Sequence, residues 1–154
     1  MKVAHVAIFA GGVALALIVG ALFFQYVLHY PPCEICHWQR WPHIAAAVIG
    51  LGGGVLLRDA KSSLTLPLAV LTILLVATSG AIGVYHAGVE WQWWPGPAAC
   101  TTGYVFTGTL DLNAPVPHCD IAAWRLFGIS MAGYNALISL TAAAVGAFLL
   151  AKRS

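Results

Sequence analysis

Long apolar runs separated by short polar breaks organise the chain. One runs from about Ala4 to Leu28 without a charge, a second from about Trp41 to Leu57, a third from about Leu64 to Ala87 and a fourth from about Ala122 to Ala151. An α-helix needs about 20 apolar residues to cross roughly 30 Å of hydrocarbon, so each run predicts a transmembrane span. The first run follows Lys2 and outlasts the roughly 7 to 15 apolar residues of a secretion signal, so it reads as a retained helix. Arg58 to Ser63 is a tight polar turn of the kind that joins antiparallel neighbours in an up-down bundle. The break at about 29–40 is short, and the one at about 88–121 is long and holds Pro95, Pro97, Pro115 and Pro117, which oppose regular helix there. The expected fold is all-α: residues 1–154 as a single integral membrane domain, a four-helix transmembrane bundle with one short and one long loop on the same side. Gly11-Gly12, Gly52-Gly53-Gly54, Gly80 and Gly83 fall in or beside the spans, where small residues let helices approach closely.

Composition agrees, with 60% hydrophobic and 8% charged residues. The net charge of +2 is small and scattered, and no stretch has the basic, aromatic-interleaved character of a nucleic-acid site, which excludes that class. The charges that remain are informative by position. Lys2, Arg58, Lys61, Lys152 and Arg153 fall on one side of a four-span arrangement; Glu34, Glu90, Asp111 and Asp120 fall on the other, with Arg40 and Arg125 near helix mouths. Because Lys and Arg collect in short cytoplasmic segments, both termini are expected in the cytoplasm. All four cysteines then face outward, which in a bacterial inner membrane is the periplasm, where disulfides persist. Trp91, Trp93 and Trp94 match an interfacial aromatic belt, with closure of a site from above as the second reading.

The cysteines carry the candidate chemistry. Cys33-Glu34-Ile35-Cys36 stands between the first two runs, and Cys100 and Cys119 lie in the long loop. A Cys-x-x-Cys is a redox dithiol or half a zinc site. Structural zinc sites usually draw on a second close-spaced pair, which the loop does not offer, although His37, His43, His86 and His118 leave a mixed site conceivable. Spacing and an oxidising compartment favour redox chemistry with no metal. Four cysteines allow three pairings, so connectivity is open. Cys36 precedes the second span, whose N-terminal amides carry partial positive charge, and Arg40 is a permanent cation; both favour a thiolate. If the helix includes Cys36, Arg40 stacks one turn above it, but Pro42 argues for a regular helix beginning near Trp41. Arg40 also reads as a snorkelling cation, as does Arg125. Glu34 either tunes the pair or is a solvated loop acid.

The run Pro32-Cys33-Glu34-Ile35-Cys36-His37-Trp38-Gln39-Arg40 resembles the cysteine motif of the DsbB family, bacterial inner-membrane proteins that reoxidise a periplasmic thiol oxidase and pass its electrons to quinone. Tyr85-His86 and Trp124-Arg125-Leu126-Phe127-Gly128-Ile129-Ser130-Met131 resemble the family's patterns near spans three and four; the long loop fits through its two cysteines and its length. The resemblance implies a DsbA-like thioredoxin-fold partner and a membrane quinone, ubiquinone or menaquinone, as cofactor. It implies that Cys100 receives the partner's thiolate with Cys119 as its disulfide mate, that Cys33 resolves toward Cys119, and that the freed Cys36 faces the quinone beside Arg40. His86 would hydrogen-bond or protonate a quinone oxygen, with His43 a weaker candidate. A vitamin K epoxide reductase-like protein shares bundle, cysteines and quinone, but there the loop cysteines precede the Cys-x-x-Cys. A haem- or metal-binding bundle using His5, His43 and His86 is a further alternative, and a purely structural bundle with two static disulfides is the remainder.

Overall fold

The computed structural model describes residues 2–59, 62–101 and 118–152; Lys61, Asp111, Pro115, Pro117 and Arg153 lie outside them. Helix α1 spans Val3–Tyr26. Helix α2, Glu34–Ala47, continues through a π-helical segment, Val48–Gly53, into α3, Gly54–Leu56. Helix α4 spans Thr65–Glu90, a short turn of helix α5 covers Ala98–Thr101, and α6 spans Met131–Ala151. Among the described residues, α1, α4 and α6 are long and apolar enough to cross a membrane. The rod built from α2, the π segment and α3 is the fourth member. It packs on α1 and α4, and α4 packs along α6, giving the expected helical bundle.

The bundle is small inside and large outside. Its centre is Val6, Ala10, Ala14, Ala46, Val76, Ala142 and Ala143, while Phe9, Leu15, Val19, Phe23, Leu74, Leu137 and Phe148 are exposed. Water would make that outer surface unstable, whereas lipid tails solvate it and leave close packing to small residues. A close backbone approach joins α1 to the π segment: a Cβ on Gly50 would stand 2.6 Å from the Ala7 carbonyl oxygen and 2.7 Å from Thr72 Cγ2.

Two boundaries depart from the apolar runs. Helix α2 starts at Glu34 rather than near Trp41, because Cys33 caps it: its Sγ accepts the Cys36 amide proton at 3.2 Å. Pro42 is carried inside α2, where it withholds one N–H from the Trp38 carbonyl. Helix α6 starts at Met131, not near Ala122. The intervening residues form a small hairpin of β1, Arg125–Leu126, and β2, Ile129–Ser130, paired antiparallel. Phe127 (φ 50°) and Gly128 (φ 82°) both hold positive φ in its two-residue turn, as type I′ geometry requires. Ser130 then caps α6, its Oγ accepting from the Gly133 amide at 3.2 Å. Hydropathy registers the apolar side chains of this stretch but not its turn.

The two ends of the bundle differ. At one, Lys2 Nζ donates to Asp59 Oδ1 at 2.9 Å, tying the start of α1 to the turn after α3 and holding the Asp59 carboxyl below the usual carboxylate range. The described cysteines gather at the other.

Candidate redox and cofactor site

Cys33 and Cys36 are free thiols with their sulfurs 2.6 Å apart, at the start of α2. The hydrogen bond between them, followed by burial, pushes the Cys33 thiol well above its ordinary range. The same bond is the main influence holding Cys36 below that range, with Arg40 adding a favourable charge. When the pair loses one proton it is therefore Cys36 that gives it up, while Cys33 stays protonated. Cys100 and Cys119 form a disulfide with Cα atoms 5.2 Å apart. It is buried in one cluster with Cys33, Ile35 and Val89, so both cysteine pairs share a single packed region.

Below the sulfurs a chain of side-chain amides links two histidines. Gln39 Nε2 lies 2.9 Å from His86 Nδ1. An amide nitrogen only donates, so Nδ1 accepts and the ring proton sits on Nε2, which faces Cys33 Sγ at 3.5 Å and Glu90 Oε1 at 3.7 Å. Asn135 Nδ2 donates to Gln39 Oε1 at 2.6 Å, and Asn135 Oδ1 accepts from His43 Nε2 at 2.8 Å and from Ser139 Oγ at 2.9 Å. Ser79 Oγ donates to the Gln39 carbonyl at 2.8 Å. Helices α2, α4 and α6 are thus joined by polar bonds inside an apolar bundle. Buried groups of this kind are tolerated only when mutually satisfied.

Beside the dithiol lies a cavity of about 370 Å³, walled by Leu17 and Phe24 of α1 and Ile138 of α6, with Cys36, Arg40 and Asn135 at its polar margin. Arg40 Nη1 donates to Gln25 Oε1 at 2.6 Å. Arg40 is therefore turned inward and anchored to α1, not snorkelling outward. His43 is buried and also borders the cavity, with Nδ1 lacking a hydrogen-bond partner.

The structure brings together Cys33, Cys36, Arg40 and His86, four of the residues singled out from sequence, and places Cys100 and Cys119 against the first pair. Glu34 is exposed in the first turn of α2, and Arg125 is exposed on β1. The tryptophan trio stands apart from the cavity: Trp94 stacks on Tyr85 with ring centroids 6.1 Å apart and donates to the Tyr85 carbonyl at 2.8 Å, and Trp124 borders the cavity instead. Gln25, Gln39, Ser79, Asn135 and Ser139 escaped the sequence reading. Their signal was polarity inside otherwise apolar helices, which tends to mark interhelical bonding or function.

The family profile described as disulfide bond formation protein DsbB matches residues 3–149. A disulfide bond formation protein B from Verminephrobacter eiseniae is 30% identical over 133 residues, covering 79% of this chain and 71% of that protein. One from Escherichia coli O1:K1 is 27% identical over 126 residues, covering 77% and 69% respectively. An uncharacterised protein of Rickettsia prowazekii is 25% identical over 128 residues, covering 78% and 72%. No solved structure matches the chain. Two cysteine pairs packed at one end of a lipid-solvated helical bundle, together with a match over nearly the whole length, make this chain a member of the DsbB family of membrane disulfide bond formation proteins.

Proposed function

We propose that this chain is a membrane thiol oxidase that draws electrons from a periplasmic thioredoxin-fold dithiol protein, DsbA-like, and delivers them to a membrane quinone, ubiquinone or menaquinone. The observation that carries the reading is the Cys33–Cys36 dithiol, packed against the Cys100–Cys119 disulfide and opening through Cys36 onto an apolar cavity with Arg40 at its margin. The residues present fit a quinone. Walls from Leu17, Phe24 and Ile138 suit a quinone ring and the start of its isoprenoid tail, and the buried, unpartnered His43 Nδ1 and the Arg40 guanidinium are polar groups at the same cavity. A quinone supplies a two-electron, two-proton acceptor.

The chain's own residues supply the rest. The partner's thiolate attacks Cys100 Sγ and Cys119 leaves as thiolate; the partner's second thiol then releases Cys100, so the loop pair ends reduced and the partner oxidised. The loop dithiol reduces the Cys33–Cys36 disulfide by the same exchange, with Cys33 meeting Cys119, and Cys36 is left as the thiolate beside the cavity. Arg40, fixed by Gln25, stabilises negative charge there. His86 directs its Nε2 proton at Cys33. Lys2, Arg58 and Lys152 lie away from the cysteines, which by the positive-inside tendency supports a cysteine end outside the cytoplasm.

The test is quinone reduction by the purified protein in lipid nanodiscs, supplied with a set of reduced thioredoxin-fold proteins. Turnover should vanish in Cys36→Ser, and Arg40→Gln should raise the KM for quinone. Wild-type turnover no faster than that of Cys36→Ser with every partner would overturn the reading.

A further inference from the structure

The face of the dithiol toward α4 has a second chemistry. Cys33 Sγ, Cys36 Sγ and His86 Nε2 lie within 4.8 Å of one another. Glu90, one turn beyond His86 on α4, brings Oε1 to 3.7 Å from the same nitrogen, and its Oε2 is buried with no hydrogen-bond partner. An unsatisfied carboxylate oxygen in an interior is a costly group that a cation would satisfy. The two sulfurs and the imidazole nitrogen are three donors that tetrahedral Zn²⁺ favours; Glu90, outside that cluster but 3.7 Å from His86 Nε2, supplies the fourth by turning its carboxylate toward the sulfurs.

We infer that the reduced Cys33–Cys36 pair, with His86 and Glu90, is a Zn²⁺ site that exists only in the dithiol state. Binding moves no electrons: Zn²⁺ replaces the remaining thiol protons, which go to water, and takes both sulfurs as thiolates. With Zn–S bonds of about 2.3 Å, a tetrahedral ion holds the two sulfurs roughly 3.8 Å apart, so they separate from their present contact and cannot close a disulfide until the metal leaves. Metal on His86 Nε2 puts the ring proton on Nδ1, and Gln39 turns its amide oxygen toward it, the usual support for a ligating histidine. The block on reoxidation rests on the oxidase reading above; the binding does not.

The experiment uses the full chain carrying Cys100→Ser and Cys119→Ser, so that only Cys33 and Cys36 contribute thiols, purified in detergent without quinone or partner. Bound metal is measured after anaerobic exposure to Zn²⁺, once with the pair reduced and once with it oxidised, and Co²⁺ serves as an optical probe. One zinc per chain is expected in the reduced protein and none in the oxidised, with thiolate-to-cobalt charge-transfer absorption following the same pattern. Glu90→Gln and His86→Ala should each weaken binding by more than about tenfold. Equal binding in both redox states, no stoichiometric zinc in the reduced protein, or wild-type affinity in Glu90→Gln and His86→Ala would overturn the site. The redox comparison needs neither histidine nor glutamate substitution, so it stands even if those variants fold poorly. A chain that binds zinc but reduces no quinone would refute the oxidase reading alone.

Discussion

Replacing Asn135 by leucine removes the centre of the amide bridge while keeping the same heavy-atom branching. Gln39 Oε1 loses its 2.6 Å donor and His43 Nε2 its 2.8 Å acceptor, keeping only Ser139 Oγ at 3.3 Å, and both residues are buried. An orphaned buried polar group costs about 1 to 3 kcal/mol, which sets an upper range of roughly 2 to 6 kcal/mol for the pair. Interhelical hydrogen bonds in bilayers average nearer 0.6 kcal/mol, so two of them set a floor of about 1 kcal/mol. A loss of about 2 kcal/mol is therefore expected for Asn135→Leu, between these bounds. Gln39→Leu should be comparably harmful, since it strips His86 Nδ1 of its donor and leaves Asn135 Nδ2 only its longer bonds to Ser79, at 3.2 Å and 3.3 Å. In the double variant the bond between the two amides is lost only once, so its destabilisation should fall short of the sum by about 1 kcal/mol. Equilibrium unfolding of the four proteins in mixed micelles, followed by far-UV circular dichroism, measures the cycle. Additivity within about 0.3 to 0.5 kcal/mol would refute a continuous bridge and reduce the amides to separate surface-like contacts.

Gly50→Ala places a methyl 2.6 Å from the Ala7 carbonyl oxygen and 2.7 Å from Thr72 Cγ2, both rigid neighbours, and should destabilise by about 1 to 3 kcal/mol. Gly52→Ala meets nothing within 4 Å and should be neutral or stabilising by about 0.5 to 1 kcal/mol; equal melting temperatures for the two variants in detergent would contradict the packing. The thiols should separate by pH. Because Cys36 is held below the ordinary thiol range and Cys33 above it, alkylation of reduced protein should persist at Cys36 as pH falls through that range and decline only lower, while Cys33 needs more alkaline solution. Peptide-level mass spectrometry reads both rates, and preferential modification of Cys33 at neutral pH would reverse the assignment.

Lipid makes this fold readable. Spans α1 and α4 lie within three residues of the runs from Ala4 to Leu28 and Leu64 to Ala87, because hydrocarbon demands long apolar helices and admits little else. Boundaries set by hydrogen-bonding chemistry were harder to read. Cys33 acting as a helix cap extends α2 outward by two turns, and the paired positive φ angles at Phe127 and Gly128 divert an apolar stretch into a hairpin. At the site, cysteine spacing and Arg40 were visible from residue type and order. Gln39 was hidden because a glutamine beside an arginine at a helix mouth looks solvated, and Asn135 because hydropathy averages one amide into twenty apolar neighbours. Their significance arises from meeting across helices, a property of packing rather than of either segment.

The sulfur cap on α2 ties electron flow to local order. In the reduced protein, Cys33 Sγ holds the Cys36 amide, and a thiol or thiolate is a better acceptor than a disulfide sulfur. Oxidation therefore weakens the cap, and a full cap is worth about 1 kcal/mol. For a two-electron couple that corresponds to about 20 mV in favour of the dithiol. Each cycle would then loosen and retighten the first turn of the helix that carries Arg40, a small mechanical oscillation in step with the arrival and departure of electrons.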